Sequence, residues 1–254
     1  MTDLGETAQT PAKPVRQSKR AHALAIIGLV LIVVSGPVAK AGLMSPMAGM
    51  LGYTIASLLM LIAMIIALRA LLGNSKSPAL NSTVSTWLVL VAGAAVLIVN
   101  INTIAGSSGA PAIHDVSTDL ANPPEFVEIV ALREAAEAPN PPGYLDDGSA
   151  QLQAEAFPEI KTIRVNSSYQ DVFDKAVSAT ERMGWELVAA EAAEGRIEAV
   201  ASTGYVGFKD DVVIRIKDEG TSVAVDIRSK SRMGKGDMGA NAARIRSWSK
   251  LLNE

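Results

Sequence analysis

The sequence predicts an α-helical membrane region of three transmembrane helices followed by an α+β domain, an antiparallel meander sheet with two packing helices. Three observations carry this. The composition is 49% hydrophobic but only 4% aromatic, and no charged residue occurs from Ser77 to Ile113, which is not the make-up of a soluble domain. Three long uncharged runs occupy the first 105 residues. After Ile160 the apolar pattern changes to alternation interrupted by glycine-containing turns, the signal of half-buried strands.

Taken in order, residues 1–20 are polar, with Lys13, Arg16, Lys19, Arg20 and two prolines, and read as a disordered basic tail. Residues 21–39, AHALAIIGLVLIVVSGPVA, lack Asp, Glu, Lys and Arg. At ~1.5 Å per residue they suffice for a ~30 Å hydrocarbon core, with Pro37 marking the exit. A cleavable leader is the competing reading, but the apolar stretch exceeds the ~7–15 residues of such leaders. The second span runs from Met47 to Leu68 and the third from Val84 to about Ile104, starting beside the interface-favouring Trp87.

Basic residues in short flanks set orientation. The tail bases, Arg69 and Lys76 lie on one side and Lys40 alone on the other. The bias predicts a multi-pass protein of the cell inner membrane, with a cytoplasmic N-terminus and a periplasmic C-terminal domain. Apart from His22 at the edge of the first span, no ionisable side chain of the proton-relay kind lies within the spans. Asn100 and Asn102 fit interfacial or interhelical hydrogen bonds better than a transport site. Ala48 and Gly52 fit the loose small-xxx-small packing pattern.

Residues 106–254 form the predicted exported domain, with an acidic, proline-rich front at 106–159 and a sheet–helix core at 160–254. Six prolines fall between 111 and 142 and argue for extended strands and turns, with a short helix at Val127–Ala138. Asp115–Glu159 holds ten acids and one base, Lys209–Lys250 ten bases and six acids. Either the front folds against the rear or each presents its own surface.

In the core, Ile160–Val165 reads as a strand. Ser168 can cap a helix whose Tyr169, Val172, Phe173, Ala176, Val177, Thr180 and Met183 share one face, with Gly184 ending it. Trp185–Glu191, Arg196–Ser202, Asp210–Lys217 and Ser222–Ser231 are strands. In the last two, Val212, Ile214, Ile216, Val223, Val225 and Ile227 point inward, leaving Arg215, Lys217, Asp226 and Arg228 outward. A closing helix buries Met238, Ile245, Trp248 and Leu252.

Three segments, PAIHDVSTDLANPPEF, GFKDDVVIRI and DIRSKSRMGKGDMGANAARIR, together resemble the uncharacterised bacterial and plant family known as domain of unknown function 1499. The resemblance covers roughly residues 108–253 and leaves the spans outside. It implies no activity, cofactor or catalytic residue.

The candidate chemistry follows from the residues. Without cysteine there are no disulfides, thiol nucleophiles or cysteine-held metals, and two histidines leave no histidine-rich metal site. No metal and no cofactor is expected. Gly234-Lys235-Gly236-Asp237-Met238-Gly239 matches G-x-G-x-x-G, but the chain provides no following parallel strand for a dinucleotide unit. A weaker version keeps backbone amides with Arg228, Arg232 and Lys235 as an anion site. Against it, Asp237 is a good N-cap that would occupy those donors. Asn241 lies in an apolar row, at least half-buried, and suits a fold-holding amide. One of Asp210 and Asp211 points inward, to pair with Arg228 or Arg232. His114 has no neighbouring nucleophile motif, and with Asp211 it forms the candidate acid–base pair. Tyr205, Val206 and Phe208 cover the sheet end.

These residues favour a membrane-anchored binding module over an enzyme. Expected partners are the lipid bilayer and an anionic lipid, glycan or protein of the envelope, with no nucleic acid, engaged through Arg228, Arg232, Lys235, Asp237 and Asn241. The alternative is an envelope hydrolase using His114 with an aspartate.

Overall fold

A computed structural model describes residues 16–73, 80–144 and 148–254. The chain divides between Thr103 and Ile104 into two compact units. The tail as far as residue 15, Lys76, Asp146 and Asp147 lie outside the described residues.

The first unit holds α1 (Arg16–Lys40), α2 (Pro46–Gly73) and most of α3 (Leu80–Gly106). All three helices are long and apolar enough to cross a membrane. Arg16–Arg20, expected in the tail, already belong to α1, and the helix runs past Pro37 to Lys40. Glycines let these helices approach: a Cβ at Gly52 would lie 2.7 Å from Ser35 Cβ, and one at Gly28 3.0 Å from Met60 Cγ. Gly93 meets Met64 in the same way. Asn100 donates to Ser57 Oγ on α2 (3.3 Å) and to Val96 O on its own helix (2.9 Å), the interhelical role expected of it.

The second unit runs β1 (Asp115–Ser117), α4 (Glu128–Ala135), α5 (Ser149–Ala156), β2 (Ile163–Val165), α6 (Tyr169–Arg182), β3 (Glu186–Glu191), β4 (Arg196–Ser202), β5 (Lys209–Asp218), β6 (Val223–Ser231) and α7 (Ala240–Leu252). β3 to β6 form the expected antiparallel meander, in spatial order β6-β5-β4-β3. The far edge of β6 is shared by two short strands, β1 against Arg228–Lys230 and β2 against Val223–Val225.

Ser168 caps α6 through the Asp171 amide (3.1 Å), and its apolar row faces the sheet because residues three and four apart stack on one side of a helix. α6 and α7 bury Val172, Phe173, Ile245, Trp248 and Leu252 against Val212, Ile214, Val225 and Ile227. Each such side chain contributes about 1.5–3 kcal/mol on burial. Trp248 Nε1 donates to Thr180 Oγ1 (3.1 Å), so its polar edge is satisfied inside the core. Met238, expected in this row, is 56% exposed. It precedes α7 with φ +56°, so helical periodicity does not reach it.

The opposite face of the sheet is covered too, by the front segment. Phe126 and Ile129 pack on Val213. Glu198, buried on β4, accepts from the amides of Val127 (3.0 Å), Glu128 (3.2 Å) and Ile129 (2.9 Å), and so caps α4 from another element. Gln153 of α5 does for β1 what a neighbouring strand would: Oε1 accepts from Ser117 N (2.9 Å) and Nε2 donates to Ser117 O (2.6 Å). The acidic front therefore folds against the basic rear, one of the two arrangements the charge asymmetry allowed.

Candidate functional site

Alternation along β5 and β6 sorts the polar residues into two clusters, one on each face of the sheet. On the front face lie Asp211, Arg228 and Lys230; on the helix face lie Asp210, Ser229 and Ser231.

The front cluster gathers four bases around two carboxylates. Asp115 takes Arg228 in a bidentate pair (Nε to Oδ1 2.9 Å, Nη2 to Oδ2 2.8 Å) and also Lys230 Nζ (2.9 Å). Asp211 takes Arg133 Nη1 and the Nε and Nη2 of Arg232, the latter at 2.8 Å. Arg133, Arg228 and Lys230 are almost fully buried and Arg232 is 12% exposed. The surplus of positive charge is met by dipoles and π faces. Carbonyls of Pro124, Pro142, Gly143, Asn140 and Ser231 accept from these bases. The Arg228 guanidinium lies 4.8 Å from the Phe126 ring centre and 5.3 Å from that of Tyr144, at cation–π distance. Burial lowers the Lys230 pKa from its ordinary value, with repulsion from Arg228 and Arg133 adding to it and Asp115 opposing it. Arg133 is lowered by burial likewise, against the pull of Asp211.

Arg228 thus sits on the outward row, as expected, but it is not accessible. The period-two pattern gives the face and says nothing of the segment that covers it. Lys230 and Arg133 were missed. Arg133 is the lone base among ten acids in Asp115–Glu159, a signal that marks it as the front's anchor to a buried carboxylate.

At the rim of this cluster, Arg232 Nη1 has no acceptor among the described residues, and Lys235 is exposed in the turn that follows. The turn itself is engaged. Asp237 N donates to Ile113 O (3.0 Å), and the Asp237 carboxylate takes the amides of Gly239 (2.8 Å) and Asn241 (2.7 Å). Gly239, at φ +83°, holds the formal cap position, but Asp237 supplies the capping oxygens. A side chain at Gly236 would meet Ala112 Cα at 3.2 Å, so the glycine there allows the turn to press on the segment leading into β1.

On the helix face, Asn241 is fully buried. It donates to His114 O (3.2 Å) and Ser231 Oγ (3.0 Å) and accepts from Ser229 Oγ and Arg244 Nη1 (both 2.6 Å). Arg244 in turn reaches Asp210 (2.5 Å). All four hydrogen-bonding capacities of the amide are met, as a fold-holding role requires. His114 is half-buried, and its Nε2 is buried with no hydrogen-bond partner among the described residues. His114 and Asp211 share no hydrogen bond or ion pair among the described residues, and both carboxylate oxygens of Asp211 are taken by arginine. No group of three or more His, Cys, Asp or Glu side chains positioned for a metal occurs among the described residues.

The fold and these clusters define a class: an α+β domain with an open antiparallel sheet behind three long apolar helices. The chain belongs to the family described as Protein of unknown function (DUF1499), whose profile matches residues 115–252. No curated protein matches the chain.

Proposed function

We propose that this chain is an inner-membrane protein with a cytoplasmic N-terminus, whose periplasmic domain binds an anionic component of the envelope at the rim formed by Arg232 and Lys235. The observation that carries the reading is the charge of the front cluster. Four bases surround two carboxylates in a region where water screens little, so the rim beside them is held at positive potential. Arg232 keeps a free N–H group there, and Lys235 adds a solvated charge on a flexible stem. Asp237 and Asn241 hold the turn and helix that carry this rim.

The hydrolase reading rests on the unpartnered Nε2 of His114. The engagement of both Asp211 carboxylate oxygens by Arg133 and Arg232 weighs against it, because a general base must present an oxygen within hydrogen-bond reach of the substrate proton.

The test uses the full chain in phosphatidylcholine nanodiscs, titrated with dihexanoyl phosphatidylglycerol, dihexanoyl phosphatidylcholine and the acidic glycan polygalacturonate. Saturable, salt-sensitive binding of an anionic probe, weakened at least tenfold in R232A/K235A, is expected. Unchanged binding in that variant overturns the proposal. Hydrolysis of p-nitrophenyl acetate that disappears in H114A would favour the enzyme instead.

A further inference from the structure

We propose that Met44, Met47 and Met50 form a thioether site for a soft monovalent metal ion, Cu(I) or its analogue Ag(I), at the start of α2. This is independent of the anion site.

Three of the nine methionines fall within seven residues as M-x-x-M-x-x-M. Ser45 fixes the local geometry: its Oγ accepts from Ala48 N (3.2 Å) and its carbonyl from Gly49 N (3.1 Å), which starts the helix at Pro46. Met47 and Met50 are then three apart in the first turns, a spacing that puts their Cβ atoms about 5–6 Å apart on one side. Met44 stands two residues before the helix, next to the capping Ser45. Each side chain has three rotatable bonds, enough for neighbouring sulfurs to close on one ion.

Two other methionines of α2 are committed to packing. Met60 is fully buried and touches the space at Gly28, and Met64 fills the space at Gly93. Packing accounts for both. Met47 is 55% exposed and Met50 39% exposed, with Met44 half-buried, so, like Leu51 and Ile55 of the same helix, they are not committed to helix packing, and what sets them apart is three thioethers at three-residue spacing.

The donor set decides the ion. Between Ala41 and Ala56 there is no Asp, Glu, His or Cys, so a hard or borderline cation finds no charged or imidazole ligand. Thioethers select Cu(I) among the biological metals. The partial positive charge of a helix N-terminus opposes a cation, and here the Ser45 hydroxyl and carbonyl oxygens take two of the first amides, which blunts it.

The test titrates the full chain in dodecyl maltoside with Ag(I) by calorimetry, and with Cu(I) against bathocuproine disulfonate. One ion per chain is expected, with at least a tenfold loss of affinity in M44L/M47L/M50L. Leucine keeps the apolar volume, so helix content by circular dichroism should not change. M238L, at the exposed methionine of the other unit, should bind like the parent. If the triple variant fails to fold, the parent labelled with carbon-13 at its methionine methyls still decides: stoichiometric Ag(I) should shift the Met44, Met47 and Met50 resonances. No binding by the parent, unchanged affinity in a folded triple variant, shifts at Met60 and Met64 instead, or equal binding of Zn(II) would each overturn the proposal.

Discussion

Replacing Asp211 with asparagine keeps the shape of the side chain and removes one negative charge from the most crowded part of the domain. Asp211 is fully buried and takes hydrogen bonds from Arg133 and Arg232. Arg133 has no route to solvent at 2% exposure, so its charge would stay buried beside Arg228 and Lys230 with only Asp115 to balance the group. Breaking a buried pair in this way costs about 3–5 kcal/mol, against a total stability of roughly 5–15 kcal/mol for a domain. For a domain of this size each kcal/mol moves the melting temperature by about 2–4 °C, so D211N should melt about 6–20 °C lower. The assay is thermal unfolding of the full chain in detergent, carried in a W87F/W185F background so that the emission followed is that of Trp248, which is fully buried. Adding R133M removes the stranded charge, and D211N/R133M should regain at least ~1.5 kcal/mol over D211N, within the range of coupling between contacting residues. A melt of D211N within 2 °C of the parent, or a double variant no better than D211N, would refute the claim that this pair locks the front segment to the sheet.

Further outcomes follow from the same geometry. The folded Lys230 pKa lies below the unfolded value of 10.5, so between the two the unfolded chain binds more protons and stability rises with pH. The penalty is fully present below the folded value. K230M should lack that alkaline rise in denaturation midpoints, and an identical rise in parent and K230M would contradict the assignment. Gly195 adopts φ +65°, and a Cβ there would lie 2.1 Å from Ile216 O; G195A should lose at least the ~1–3 kcal/mol of a strained backbone position, read as a lowered melting temperature. D237A removes the acceptor for the Gly239 and Asn241 amides and should lose about 0.5–2 kcal/mol, with exchange protection falling first at the start of α7.

What the sequence revealed and what it hid divide along physical lines. The strand Arg196–Ser202 and the helix between Ser168 and Gly184 follow from local signals: alternation, a capping hydroxyl and a glycine stop. β1 has only three residues, too few for alternation to register, and its outer edge is completed by Gln153 rather than by a strand. α5, SAQLQAEA, has almost no apolar face and offered no periodic pattern. β2 is shorter than the alternation in Ile160–Val165 suggested. Its first expected residue, Ile160, closes a turn on Phe157 O instead (3.0 Å). At the candidate site, Asn241 and Asp237 read correctly because burial and capping are local properties. The burial of Arg228 and Lys230 depends on a segment about a hundred residues earlier that carries their carboxylate, Asp115, and no local pattern contains that.

An envelope ligand can reach the domain only if the domain lies on the outer side of the inner membrane. The chain has no cysteine of its own, so a single Asn166→Cys, at an exposed position before α6, reports its compartment without background. In spheroplasts, a membrane-impermeant maleimide should label this cysteine as fully as it does after lysis. Labelling that appears only once the cells are broken would put the domain in the cytosol and remove the envelope ligand with it.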